Sequence, residues 1–303
     1  MDEKKDQNLE APTILVTGGT GGIGFQIART LVSCGARLTV TGRDAARGIA
    51  ASRELSCLGH PVRFVQADLS DQKGTLELAK IVLETHSRLD VLVNNVGGVW
   101  NRRETTADGL EKILAVNHVH PFLLSEALFQ LLHSSSGKVI HLSTGYHLLV
   151  RVGPKDWLQQ RWDSGMNVYG RAKLISLLAG RALCQRWARE GVVIQFADPG
   201  LAKTPLTQAM DATYFPWYGR WLFPAVHWVQ NRLPLSWAGR QAAALALDRN
   251  DRRPGLYALP GGLRLPAFSS VGDRSRGQLF LRLTLEEWIT PESQRILAAL
   301  SQR

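Results

Sequence analysis

Tyr169 and Lys173 stand four residues apart in "YGRAK". Inside a helical pattern that spacing puts both side chains on one face, about one turn apart. The pair suits proton transfer at a carbonyl or an alcohol. A phenol, with a pKa of about 10, is a poor proton carrier at neutral pH. An ammonium about 4 Å away, in an effective dielectric of about 20, favours the phenolate by about 4 kcal/mol, or about three pKa units before burial opposes it. Tyr169 is therefore expected to titrate near the working pH. Tyr-x3-Lys also arises by chance, as a half-buried tyrosine beside a solvated lysine, so the pair needs support from elsewhere. Ser143 offers it by closing the apolar run "KVIHLS", where an open parallel sheet presents its ligand site. A hydroxyl there can hydrogen-bond a carbonyl oxygen, although a serine in that place can also simply cap or turn the chain.

The elements that must position these groups follow from apolar runs at 13–17, 37–41, 62–67, 89–95, 138–143 and 192–197. They alternate with helical patterns, the mark of an α/β fold with one doubly wound parallel sheet and helices on both faces. The first helix carries Ile23, Ile27 and Leu31, with Ala28 and Val32 beside them, and ends at Gly35. Further helices are expected at about 45–58, 72–86, 107–133, 167–190, 237–248 and 285–301, with a long irregular excursion near 200–235. No linker or internal repeat interrupts the pattern. Residues 1–11 read as a solvated tail, and 12–303 as a single domain with a lid at about 201–235.

Between the first strand and the first helix runs "TGGTGGIG". Backbone N–H groups and a helix N-terminus aim there at one point that suits a pyrophosphate. Gly18 would make the tight turn, Gly22 would allow close approach and Gly24 would let helix and strand pack. A register through Gly21 fits the glycines equally well. About twenty residues on, the second strand ends in Thr41-Gly42-Arg43. An acid is usual there for the ribose hydroxyl of NAD, whereas the guanidinium of Arg43 suits the 2′-phosphate of NADP(H), with Arg47 as support. NADP(H) is therefore preferred over NAD(H). Asp44 opens the alternatives that Arg43 pairs with it or caps the next helix.

Together these residues resemble the short-chain dehydrogenase/reductase family over about residues 12–262. The matching motifs are Thr17-Gly18-x3-Gly22-x-Gly24, Asp68, "NNVG" at 94–97 and "DPG" at 198–200. The resemblance implies a Rossmann fold and a catalytic set of Asn117, Ser143, Tyr169 and Lys173. In that set Tyr169 gives or takes the hydroxyl proton, and Lys173 lowers its pKa and binds the nicotinamide ribose. Ser143 orients the substrate oxygen, and Asn117 holds a water that links Lys173 to solvent. The implied cofactor contacts are Gly18, Gly19, Thr20, Gly22, Ile23 and Gly24, then Arg43, Asp68, Leu69, Asn95, Val96 and Gly97. Tyr169, Lys173, Pro199, Gly200 and Thr204 complete them. "NNVG" and the short C-terminal portion decide the glycine register against epimerase-like relatives. Two departures stand out. Val96 replaces a commoner alanine, and 26 positions separate Ser143 from Tyr169, a stretch that includes Trp157 and Trp162. Such inserts resemble the retinol-dehydrogenase-like branch, including the oxidoreductase domain of WW-domain oxidoreductases.

Seven of the fifteen residues from Tyr214 to Trp228 are aromatic, against 23 in the whole chain. A segment so enriched suits a substrate lid for a lipophilic alcohol, aldehyde or ketone of retinoid, steroid or polyketide type. It also suits packing on its own protein, a second subunit in a homo-oligomer, or a peripheral membrane contact in which tryptophans and Arg220 would be at home. The net charge of +10 comes from dispersed Lys and Arg with no basic block, so nucleic acid is not an expected partner. Cys34, Cys57 and Cys184 have neither disulfide nor metal spacing, and His118 and His120 face different ways, so no metal is expected. A cytoplasmic location fits the thiols and the charged N-terminus. Two rival classes remain: a catalytically silent NADP-binding regulatory protein, and a nucleotide-sugar epimerase or dehydratase.

Overall fold

The computed structural model describes residues 11–153, 162–266 and 274–302. One sheet of eight strands runs through it, in the order β3-β2-β1-β4-β5-β6-β7-β8. The strands are β1 (Thr13–Val16), β2 (Arg37–Gly42), β3 (Arg63–Gln66), β4 (Val91–Asn94), β5 (Lys138–Leu142), β6 (Val193–Ala197), β7 (Leu256–Ala258) and β8 (Arg264–Pro266). The first seven are parallel and β8 is antiparallel to β7. The six expected strands are all present. The two that periodicity did not reveal, β7 and β8, have three residues each, too few to show an alternation.

The helices are α1 (Gly22–Ser33), α2 (Ala45–Ser56), α3 (Gln72–Thr85), α4 (Lys112–Leu114), α5 (His120–Ala127), α6 (Phe129–Ser134) and α7 (Gly165–Trp187). After β6 come α8 (Pro205–Gln208), α9 (Phe223–Arg232), α10 (Arg240–Leu247), α11 (Arg274–Arg282) and α12 (Pro291–Leu300). They cover both faces of the sheet, and β1 shows how. Ile14 and Val16 point to a core shared with Ile27, Leu31, Ala242 and Leu245, on the side of α1 and α10. Leu15 points the other way, to a core with Leu76, Phe122, Leu177 and Trp187. Period-two alternation thus feeds two cores at once, which is why every residue of β4, β5 and β6 is buried and the runs read as continuously apolar.

Two expected helices and the expected irregular excursion differ from the expectation. The one expected at 107–133 begins at Lys112, because Thr105 bridges Glu111 and the Glu111 carboxylate caps the N–H groups of Ile113 and Leu114. It then passes through a π turn at Ala115–Val119. The C-terminal helix is split: Thr290 caps α12 with Pro291 at its first position, so the preceding turn at Leu283–Glu287 cannot run on into it. The excursion near 200–235 is more helical than expected, with α8, α9 and short 3-10 turns at Ala212–Tyr214 and Trp217–Leu222. Tyr214, Phe215 and Phe223 are half-buried, Tyr214 against the core, but the tryptophans stay in solvent: Trp217 is 81% exposed and Trp221 74%. Trp162 packs against the core, whereas Trp157 and the N-terminal tail to residue 10 lie outside the described residues.

Candidate active site

Helix α7 carries the tyrosine and the lysine. Ser164 caps its first turn by accepting from Asn167 N at 3.2 Å, and Arg171 clamps that turn to Asp163 through two nitrogens at 2.8 and 3.0 Å. The helix lies on the face of the sheet fixed by the strand register. His141 of β5 is level with Phe196 of β6, which is level with Tyr257 of β7. Two residues past His141 and Phe196, on that same face, come Ser143 and Asp198. A Cβ on Gly180 of α7 would lie 2.5 Å from the Phe196 ring, so helix and sheet meet closely here.

The Lys173 ammonium donates to Leu142 O at 2.8 Å and lies 5.8 Å from the centre of the Tyr169 ring. Burial lowers its pKa to about 8. The Tyr169 phenol moves the opposite way: burial, and then the charge of Asp198, push it well above its ordinary value. The expected depression of Tyr169 is therefore absent in the chain alone. The reason is that one desolvated site penalises both charged forms, phenolate and ammonium, and no gain from Lys173 offsets the burial of the phenol. Ser143 is 3% exposed; its N–H donates to Ala197 O at 2.8 Å, and its Oγ has no protein partner. A buried hydroxyl of that kind costs free energy unless something bonds it, and a substrate oxygen can do so.

Asn117 sits in the π turn. Its amide donates to Gly98 O at 2.7 Å and to Ile113 O at 2.8 Å, and its Oδ1 accepts from Gly98 N. The side chain thus clamps the turn after β4, and the Asn117 backbone carbonyl accepts from Ser176 Oγ at 3.3 Å. A Cβ on Gly97 would lie 2.7 Å from Asn117 Oδ1 and 3.8 Å from Lys173 Nζ, which brings the "NNVG" turn against the lysine.

The glycine turn now shows its register. Gly18 (φ 66°) and Gly22 (φ 53°) occupy the left-handed region, whereas Gly21 is extended. A Cβ on Gly24 would lie 2.3 Å from Gly18 O and 2.5 Å from Asn95 Nδ2, while one on Gly22 would meet nothing nearer than Pro205 at 4.0 Å. Gly24 is therefore needed for packing and Gly22 for an open approach. Asn95 and Val96 fasten the cradle, both backbone N–H groups donating to Thr17 Oγ1. No side chain caps the N-terminus of α1, which leaves the anion-binding end of the helix accessible. These residues fit a dinucleotide phosphate.

The other expected contacts fall around this cradle. A Cβ on Gly19 would strike Val40 at 2.7 Å, so Gly19 packs on β2, while Thr20 covers Gly42 and Ile23 is half-buried. Arg43 is exposed at the end of β2 and its guanidinium has no partner among the described residues. The Asp44 carboxylate caps α2 by accepting from Arg47 N at 2.9 Å, and no ion pair joins it to Arg43 among the described residues. A Cβ on Gly21 would lie 2.8 Å from an Arg47 nitrogen, so the second guanidinium rests over the glycine turn. Asp68 is exposed and accepts from Ser70 N, and the Leu69 carbonyl pairs with the His120 ring. Beyond Pro199, Gly200 takes φ 75°, and Thr204 is buried, its hydroxyl engaged in the capping box of α8.

Sequence reasoning missed Tyr257, the carboxyl of Asp198, and the link from α7 to the aromatic segment. In that link Tyr146 donates to Asn167 Oδ1 and Asn167 Nδ2 donates to the Tyr218 hydroxyl, each at 3.2 Å. His118 is a core residue bridging Ser176 and Thr284, and no metal-binding cluster exists among the described residues.

A sequence profile described as short chain dehydrogenase matches residues 12–214. Retinol dehydrogenase 12 of Mus musculus is 32% identical over 206 residues, covering 66% of this chain and 65% of that protein. Retinol dehydrogenase 13 of Homo sapiens is 32% identical, covering 65% of this chain and 61% of that protein. The chain thus spans just under two thirds of the length of these curated relatives. Among solved structures, the Pseudomonas aeruginosa RhlG/NADP active-site complex has 28% identity and a TM-score of 0.56, over 66% of this chain and 76% of that one. A short-chain dehydrogenase from Sphingobium yanoikuyae in complex with NADPH, at 23% identity and a TM-score of 0.63, covers 88% of this chain and 94% of that one, a likeness of fold. The profile match and the retinol dehydrogenase relatives, added to this sheet and its glycine turn, show that the chain belongs to the short-chain dehydrogenase family.

Proposed function

We propose that this chain is an NADP(H)-dependent oxidoreductase that interconverts an alcohol with its aldehyde or ketone, on a lipophilic substrate. The observation that carries the reading is the gathering of the Ser143, Tyr169 and Lys173 side chains at one end of the sheet, beside a glycine cradle that fits a pyrophosphate. The cofactor, when bound, supplies or accepts the hydride. Ser143 orients the substrate oxygen, and Tyr169 delivers its proton in reduction. Lys173 keeps protons available for a ribose hydroxyl beyond the one given to Leu142 O. Asn117 fixes the turn that brings Gly97 to the lysine. The guanidinium groups of Arg43 and Arg47, neither of them paired with the Asp44 carboxylate, support NADP(H) over NAD(H).

The retinol dehydrogenase relatives and the RhlG/NADP complex support this substrate class and cofactor. Residues 201–235 act as the lid, tied to α7 through Tyr218 and Asn167. Their exposed tryptophans and the nearby Arg220 and Arg232 also favour a peripheral contact with an anionic bilayer. An NADPH-consumption screen over retinoid, steroid, aliphatic and polyketide-like carbonyls tests the activity, and oxidation of NADPH with an apolar carbonyl is expected. NADPH binding without turnover across the panel would favour a silent regulatory protein. Turnover of a sugar nucleotide with no net NADPH loss would favour an epimerase.

A further inference from the structure

At three adjacent strands, two polar groups that the reaction above does not use, Asp198 and Tyr257, lie together with Ser143, which it does use. Ser143 follows β5, Asp198 follows β6 and Tyr257 lies in β7, all on the face covered by α7. The Ser143 and Tyr257 side chains are 3% and 5% exposed, and both hydroxyl oxygens are buried without a hydrogen-bond partner. The Tyr257 hydroxyl lies beside both the Ser143 hydroxyl and the Asp198 carboxyl, although no hydrogen bond of full geometry joins them. Asp198 is 8% exposed, and its Oδ1 accepts from Gly200 N at 2.8 Å. The groups facing it are the backbone N–H of Gly145, the His147 ring from the turn after β5, Tyr257 from β7 and Tyr169 from α7. No Lys or Arg pairs with it among the described residues.

We propose that Asp198, as the neutral acid, heads a donor chain through the Tyr257 hydroxyl to the Ser143 hydroxyl, whose proton then points at the substrate carbonyl oxygen. Each hydroxyl has one proton to give, so the chain has a direction. With a neutral carboxyl at its head, Asp198 donates to Tyr257, Tyr257 to Ser143, and Ser143 to the substrate. With a carboxylate there, the Tyr257 proton turns to Asp198 and the Ser143 proton turns to the Tyr257 oxygen, away from the substrate. Burial raises the pKa of the carboxyl and favours the neutral form, outweighing the N–H groups of Gly200 and Gly145, the charge of His147 and the Tyr257 hydroxyl, all of which favour the carboxylate. Asp198 and Tyr257 are thus positioning residues that act through Ser143. This inference rests on the proposed reductase activity.

The experiment combines pH profiles of kcat for NADPH-dependent carbonyl reduction with an infrared pH titration of the cofactor-free chain. In the wild type, kcat is expected to fall as pH rises through the Asp198 titration. Tyr257→Phe breaks the chain and should lower kcat about tenfold, with NADPH affinity and substrate KM moving less than about threefold. In Asp198→Asn the amide donates at every pH, so this decline should vanish. The infrared spectrum should show a protonated carboxyl that persists above the ordinary aspartate value of about 4 and is missing from Asp198→Asn. The proposal is overturned if Asp198 ionises at about 4, or if Tyr257→Phe keeps the wild-type kcat and pH profile. A wild type that oxidises no NADPH would sink the reductase reading, and the infrared titration would still decide the protonation state.

Discussion

Lys173 is a buried ammonium with a single carbonyl partner, Leu142 O, and a pKa of about 8. Its charge is fully present below that value and is lost as pH rises through it. For carbonyl reduction, kcat/KM for NADPH should therefore be level in mild acid and decline above pH of about 8, because this parameter reports groups of the free enzyme. A profile that stays flat through that range would remove Lys173 from cofactor capture. Arg43 offers a second test. Replacing it with alanine should weaken NADPH binding about 10- to 100-fold, the worth of charge-assisted hydrogen bonds of about 1.5–3 kcal/mol. NADH binding should change by less than about threefold in the same calorimetric titration. Most of these residues were legible because their neighbours in sequence are their neighbours in space: "YGRAK" lies on one helix and "HLSTG" at one strand end. Tyr257 was not, because its partners Ser143 and Asp198 come from other strands and its own strand is three residues long.

The elements around the cradle divide the work between packing and access. A methyl group on Gly24 would lie 2.3 Å from Gly18 O, inside the contact between β1, α1 and the turn after β4. Gly24→Ala should cost about 1–3 kcal/mol as overpacking and lower Tm by several degrees in a thermal melt. A methyl group on Gly22 meets open space, at a φ of 53°. Gly22→Ala should therefore cost only about 1–2 kcal/mol of backbone strain while sharply raising the Kd for NADPH. Equal losses of Tm and of affinity in both variants would contradict this division. Helix and strand positions were readable from periodicity; the glycines alone allow Gly21 and Gly22 alike, so the register was legible only through the family resemblance carried by "NNVG", and φ now separates the two directly. The π turn at Ala115–Val119 was equally hidden, because five residues inside a continuous apolar helix pattern carry no mark of a wider turn.

At the scale of the whole molecule, a closed core on both faces of the sheet stands against an open aromatic surface on the segment after β6. Trp217 and Trp221 are the most exposed large side chains there, and the Arg232 guanidinium stacks on Trp228 at 3.7 Å. On a chain with a net charge of +10, that surface should bind vesicles containing anionic lipid and release them as salt rises. Flotation checks this, and failure to bind both neutral and anionic vesicles would contradict it. No described helix is long and apolar enough to cross a membrane. The enrichment in aromatics was plain in the sequence, but its exposure was not, because composition cannot say which side of a helix a core will cover. The central claim is that Tyr169 delivers the proton beside a bound NADPH, and it is tested most directly by following NADPH oxidation and NADPH binding together in the wild type and in Tyr169→Phe. The variant is expected to bind NADPH nearly as well as the wild type and to turn over no carbonyl substrate. Wild-type turnover by the variant would contradict it.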